Sequence, residues 1–246
     1  MNYTASIFDF FRSPKWMTNL LFGGLCVLIP IVGPLVLLGW LTSGFWGRHD
    51  ERPETFPPFE FARFDKYLEH GVIPFLVGLV AGIAMVIVML PLMMLTMLLP
   101  VLLINAVSSD NGTNIAGCLS ALAFVLIGVA WLSVMFAIMV LLMPLMLRAA
   151  LTQDFAKSFD LGFMKRFLRL TWKEAVLATL FTFFASIVLS CLGALAFCVG
   201  MYFAGVVTYF SWVHLQKQLY LVYLQRGGEP LPICPKFFHV PPPLPE

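Results

Sequence analysis

Apolar positions in this chain gather into four long blocks that contain no Asp, Glu, Lys or Arg. They lie between Lys15 and Arg48, Glu69 and Asp110, Asp110 and Arg148, and Glu174 and Lys217. An ionised side chain at mid-bilayer costs several kcal/mol, so charge-free stretches mark what lipid can surround. Each block exceeds the ~20 residues that cross a bilayer as a helix. Helix breakers subdivide them. The first, residues 16–47, is interrupted by Pro30-Ile31-Val32-Gly33-Pro34. Pro removes a helix hydrogen bond and Gly loosens the turn, so the block is either one kinked span or two half-helices. The second, 71–107, carries Pro74, Pro91 and Pro100. As one helix it would be ~55 Å long against a ~30 Å core, so it must tilt, kink or protrude. Residues 108–113 form a turn, and the third block, 114–147, returns. The fourth has Gly200 near its middle and fits two helices, 175–198 and 201–224, the second stopped by Gly227-Gly228.

The segments between the blocks are amphipathic or polar. Residues 3–12 place Ile7, Phe8, Phe10 and Phe11 beside Asp9 and Arg12, a pattern for a helix lying in the interface. Ser13-Pro14 predicts an N-cap with Pro at the first helical position, and Trp16 suits the headgroup level. Residues 48–70 read as a surface loop with an amphipathic approach, Phe59 to Leu68. In 152–173, Phe155, Phe159, Phe163 and Phe167 recur every fourth residue among Lys157, Lys165, Arg166 and Arg169. That segment should lie on a membrane surface or pack under the bundle, broken near Asp160–Gly162. The Pro-rich end, 229–246, reads as extended chain after a single membrane domain spanning 1–228. Its Pro241-Pro242-Pro243-Leu244-Pro245 run could dock in a partner groove.

Composition narrows the class. The 246 residues are 60% hydrophobic and 11% charged, against ~45–50% apolar and ~25% charged in ordinary soluble domains. A water-soluble enzyme, a disordered chain, a disulfide scaffold and a nucleic-acid binder are thereby excluded. The net charge of +2 names no partner, but its distribution gives an orientation. Lys and Arg cluster at the N-terminus, in 48–70, in 148–173 and from Lys217 onward. The 108–113 loop and the Gly200 turn have none. The positive-inside rule puts the basic regions in the cytoplasm. The N-terminus and the 48–70 loop then share a side, and residues 16–47 are too few to cross ~30 Å twice. A re-entrant hairpin broken at Pro30, Gly33 and Pro34 follows; a single span with Arg12 and Lys15 outside is the alternative. Met1 to Phe11 lacks a basic n-region, so no cleaved signal peptide is expected.

The stretch FFRSPKWMTNLLFGGLCVLIPIVGPLVLLGW resembles the start of the domain of unknown function 4013 family of bacterial and archaeal membrane proteins. The matching positions are Pro14, Trp16, Gly23, Gly24, Ile29, Pro30, Gly33, Gly39 and Trp40. ETFPPFEFARFDKYLEHG is similar to that family's acidic, aromatic loop ending in Gly, here Gly71. PLMLRAALTQDFAKSFDLG and HLQKQLYLVY resemble its later segments. The resemblance implies a prokaryotic polytopic membrane protein and supplies no activity or catalytic residue.

Candidate chemistry is sparse. No Asp, Glu, Lys or Arg lies mid-block, which argues against ion-coupled transport. Neither His-Glu-x-x-His nor Gly-x-Ser-x-Gly occurs. His49, His70, His214 and His239 fall at block edges and read as interfacial polar residues. The five cysteines form no CxxC pair, and four of them read as small apolar packing residues. Met85, Met89, Met93 and Met97, with Met135, Met139 and Met143, make thioether stripes that could pass Cu(I), although Met is also a gap filler in apolar packing. Ala178, Thr182, Ser186, Ser190 and Ala194 form a small-residue stripe, and Gly78 with Gly82 a second small pair. Such spacing lets helices approach closely, within the chain or between chains. Asn111-Gly112-Thr113 is a sequon that prokaryotic origin discounts. The reading is an all-α polytopic membrane protein with about four spans, a re-entrant N-terminal hairpin and cytoplasmic interfacial helices. It is expected in a prokaryotic inner membrane with both termini cytoplasmic, without catalysis, cofactor or metal. Its expected contacts are membrane lipids and other membrane subunits or itself. A scaffold or accessory role leads; a transporter or channel-like component for a neutral or lipidic substrate is the alternative, which a polar cavity at the 30–34 break would support.

Overall fold

A computed structural model describes residues 1–47, 52–107, 113–196 and 199–234, without the side chains of 100, 103–107 and 113–116. His49, Asn111, Gly112, Cys198 and the run from Pro235, with His239 and Pro241–Pro245, lie outside the described residues. Among the described residues all regular structure is helical: α1 Tyr3–Arg12, α2 Trp16–Val27, α3 Val32–Trp46, α4 Phe64–Val107, α5 Thr113–Thr152, α6 Phe155–Ser158, α7 Leu161–Leu195 and α8 Gly200–Gln225, with short 3-10 turns at Pro53–Thr55 and Phe61–Arg63. The stretches Phe61–Leu99, Gly117–Thr152 and Leu161–Leu195 are long and apolar enough to cross a membrane. The protein is an α-helical membrane protein. The helix α8, expected as a further span, is outside that set; Gln216, Lys217 and Gln218 interrupt its C-terminal half.

The chain divides into two compact units, residues 1–78 with 143–246, and residues 79–142. In the first, α8 is central. It packs against α1, α2, α3 and α7, and buries residues all round its circumference, from Ala204 to Tyr223. A helix enclosed by others need not be amphipathic. Phe10, Phe45 and Phe56 all meet Phe210, at 5.0–5.2 Å between ring centroids. Trp40 is fully buried edge-on to Phe56 and Phe59, and its indole N–H donates to the Pro57 carbonyl at 3.2 Å. The second unit comprises parts of α4 and α5 with exposed apolar side chains along both. Its hydroxyls turn back on their own helices: Thr96 donates to the Leu92 carbonyl and Ser133 to Val129. A hydroxyl satisfied this way leaves no free polar group on an apolar face.

Several boundaries differ from the sequence reading. The approach at Phe59–Leu68 and the 71–107 span are a single helix from Phe64, because Gly71 does not end it and Pro74 is absorbed. The helix of the third block, α5, runs to Thr152, leaving only short links before and after α6. The basic 161–173 segment is not a separate surface helix but the first half of α7. A kink at Thr171 (φ −128°, ψ 17°) marks the join, where the Thr171 hydroxyl donates back to the Phe167 carbonyl. The break at Asp160 is as expected, with its carboxylate capping the N–H groups of Gly162 and Phe163. Ser13 does not cap α2. It ends α1, and its carbonyl accepts from Trp16 across a Ser13-Pro14-Lys15 turn. α1 is more than an interfacial helix. Ser6 meets Ser211 at 2.8 Å and Phe10 is buried, while Phe8 and Phe11 stay exposed.

Candidate functional site

Residues 16–46 fold as two helices, as the Pro30–Pro34 pattern predicts. Pro30 lies in the turn, while Gly33 and Pro34 already belong to the first turn of α3. The Val32 N–H donates to the Pro30 carbonyl at 2.8 Å around Ile31, which has φ 69° and ψ −59°. This is the strained form of the three-residue turn, and a β-branched residue there is a genuine outlier. A Cβ on Gly33 would strike the Cys26 carbonyl, so the return of the chain requires glycine there. The tip, Leu28, Ile29 and Ile31, is exposed and apolar.

Glycines set how closely the other helices approach. Gly39 of α3 faces the Tyr67 carbonyl and Gly71 of α4 faces the Leu35 carbonyl, so two backbones cross with no room for a side chain. Gly23 and Gly24 receive Val206 and Phe203 of α8, and Gly44 receives the Phe56 ring. At the same N-terminal end of α8, Gly193 and Gly200 touch backbone to backbone. Of the sites expected from small-residue spacing, Gly78 meets Met146 at 3.5 Å, whereas a Cβ on Gly82 would meet nothing within 4 Å. Thr182, Ser186 and Ser190 are half-buried in line with the fully buried Ala175 and Ala178, on the α7 that packs on α8. Thr182 and Ser186 donate to the carbonyls of Ala178 and Phe183 in their own helix.

Buried polar groups serve the fold. The Asn19 amide oxygen accepts from the Phe59 N–H at 2.8 Å, pinning the 52–63 segment onto α2. Pro74 has no N–H for the His70 carbonyl four residues back, and Gln153 Nε2 supplies the donor at 3.1 Å. His70 Nδ1 lies 3.1 Å from the Ser43 hydroxyl, and His214 stacks on Phe45 at 5.3 Å. His70 is buried and His214 half-buried. The Leu170 carbonyl, beside the α7 kink, accepts from Arg226, which also grips both carboxylate oxygens of Glu174. Arg148 pairs with Asp160 at 2.7 Å and lies over the Phe163 ring. The backbone N–H of Phe163, with Gly162 and the Arg148 guanidinium, holds the Asp160 carboxyl below its usual range. The Phe repeat of 155–167 splits: Phe155 and Phe159 are exposed, Phe163 and Phe167 are buried against Tyr223. The methionine stripes split too, with Met89 and Met143 buried but Met93, Met97 and Met139 exposed.

A cleft of about 240 Å³ lies among Ser13–Lys15 and Glu54–Pro58, away from the 30–34 break. Among the described residues no three His, Cys, Asp or Glu side chains converge as metal ligands.

The family model described as "Protein of unknown function (DUF4013)" matches residues 22–213. The chain belongs to that family. No curated protein and no solved structure matches it. The DUF4013 match begins within α2 and takes in its Gly23 and Gly24, then Gly33 and Gly39 of α3 and the Gly71 crossing. The resemblance noted from those glycines thus falls on positions where a Cβ would crowd or collide with a neighbour. Sequence reasoning left Gly39 and Gly71 without a structural role, and it missed Asn19, Gln153 and Arg226. Pro74 signals an orphaned carbonyl at His70, but nothing local says which distant residue answers it.

Proposed function

We propose that this DUF4013 protein is a non-catalytic membrane scaffold or accessory subunit that binds other membrane helices through the 79–142 unit. The observation carrying this reading is that Gly82, Gly117 and Gly128 open onto empty space along exposed apolar helices. Small residues on a lipid-exposed face let a partner backbone approach closely. In the other unit Gly23, Gly39, Gly71 and Gly193 do this work within the chain itself. In the same reading α2 and α3, ~18 and ~22 Å long at 1.5 Å per residue, form a re-entrant hairpin with its apolar tip in lipid. The fourth crossing is α8, its polar residues shielded by α1, α2, α3 and α7. The membrane is a prokaryotic inner membrane, with both termini in the cytoplasm.

Purification from native membranes in mild detergent, followed by mass spectrometry of what elutes with it, tests the reading. Other membrane proteins at fixed stoichiometry are expected. They should be lost from a Gly82→Leu/Gly128→Leu variant that still elutes as a folded species. Elution alone with a bound small molecule overturns the proposal.

A further inference from the structure

The cations of 152–173 are unevenly paired. Lys157 is bound to Asp154 and Arg166 to Glu229. Lys165, Arg169 and Lys173 join no ion pair among the described residues, and all three are exposed. They stand four residues apart: Lys165 and Arg169 share one face of α7, and Lys173 follows just past the Thr171 kink. Like charges at that spacing repel, and the neighbouring carboxylate, Glu174 beside Lys173, is already gripped by Arg226. Phe163 and Phe167 occupy the opposite, buried face.

The position of the stripe is fixed by the rest of the same helix. From Trp172 to Leu195 is ~35 Å along the axis, close to the ~30 Å hydrocarbon core. Over that length Leu177, Phe184 and Val188 are exposed and apolar. Trp172 is itself exposed beside Lys173, 5.7 Å from ammonium to ring centroid, and Trp favours the headgroup level. Arg169 and Lys165 then fall within the next ~10 Å, the depth of the headgroups and the adjoining water. The N-terminal amides of α7 are already capped by Asp160, so the stripe acts through its side chains.

We propose that Lys165, Arg169 and Lys173 form a binding stripe for the phosphate-bearing headgroups of anionic phospholipids in the adjacent leaflet. It stands on α7 and its crossing of the bilayer, and is independent of the scaffold reading; loss of partner subunits leaves it intact.

The test is native mass spectrometry of the full chain in mild detergent with added phosphatidylglycerol or phosphatidylcholine. The expected result is preferential retention of phosphatidylglycerol, weakened by salt. Juxtamembrane cations each attract anionic lipid, so Lys165→Gln/Arg169→Gln/Lys173→Gln should lose affinity on the order of 100-fold. Lys165→Arg/Lys173→Arg, which keeps the charge, and Lys157→Gln, which removes a paired cation, should bind like the parent. Matching thermal unfolding of the variants shows that they fold. Equal binding of both lipids by the parent, or an unchanged phosphatidylglycerol affinity in the triple variant, overturns the proposal. So does displacement by millimolar inorganic phosphate, or an acidic protein in place of lipid.

Discussion

The carbonyl of His70 shows how one residue choice is compensated far along the chain. Pro74 removes its helical donor, and Gln153, itself held at φ 50°, replaces it from the end of α5. A buried acceptor left unmatched costs about 1–3 kcal/mol. Gln153→Met keeps the length and deletes the donor, so it should destabilise by about that amount. Pro74→Ala restores the backbone N–H, and in that background the cost of Gln153→Met should shrink by about 1 kcal/mol. Unfolding of the four proteins in mixed micelles titrated with dodecyl sulfate measures the coupling; additive effects would show that the two residues do not share the carbonyl. Asp160 makes a second prediction at this scale. Its folded pKa is held below the ordinary aspartate value, chiefly by the Phe163 N–H. Its stabilisation is therefore full above the unfolded value and lost as pH falls through the folded one. Asp160→Asn should lower the melting temperature at pH 7, and the gap to the parent should close below about pH 4. A gap that stays constant down to pH 3 would remove the charge from the account.

At the scale of elements, the crossing of α3 and α4 is decided by two glycines. Gly39→Ala would drive a methyl into the Tyr67 carbonyl, a backbone atom that cannot step aside. Overpacking of that kind costs about 3 kcal/mol or prevents folding. Gly82→Ala meets open space and replaces a poor helix former with the best, so about 1 kcal/mol of stabilisation is expected. Circular dichroism melts of the two variants beside the parent separate these outcomes. Spacing alone marks Gly82 as a packing position as readily as Gly78, because periodicity reports a shared face and not what lies opposite. The helical content, the break before α3, the break near Asp160 and the Gly227 stop were all legible, since each rests on charge gaps or local backbone chemistry. The continuity of α4 through Gly71 and Pro74 was not. There a distant backbone occupies the glycine notch and a distant amide answers the proline, and neither partner is visible in a window of sequence. The same holds for α7, whose basic and apolar halves read as separate elements although one kinked helix contains both.

At the scale of the whole molecule, the arrangement of the N-terminal hairpin in the bilayer decides the topology. The basic segments define one side only if residues 16–46 enter and return. The lengths favour that: neither α2 nor α3 reaches the ~30 Å of hydrocarbon alone, and the turn between them carries apolar side chains that water would not favour. A straight crossing would instead need the two helices end to end. The Gly33 contact with the Cys26 carbonyl, and the pairing of α2 with α3, oppose that geometry. Single cysteines placed in a cysteine-free chain discriminate the two. With a membrane-impermeant maleimide on intact cells, Val199→Cys in the α7–α8 turn should label. Lys15→Cys, Arg52→Cys and Lys157→Cys should label only after permeabilisation. Labelling of Lys15→Cys on intact cells with Arg52→Cys still protected would make the segment a single span. Labelling of all three basic-side cysteines with Val199→Cys protected would invert the protein. The first outcome would require α2 and α3 to run end to end and so would overturn their packing as a pair. The second would place the α7 cation stripe against the outer leaflet, where its binding to anionic lipid would remain a property of the same three side chains.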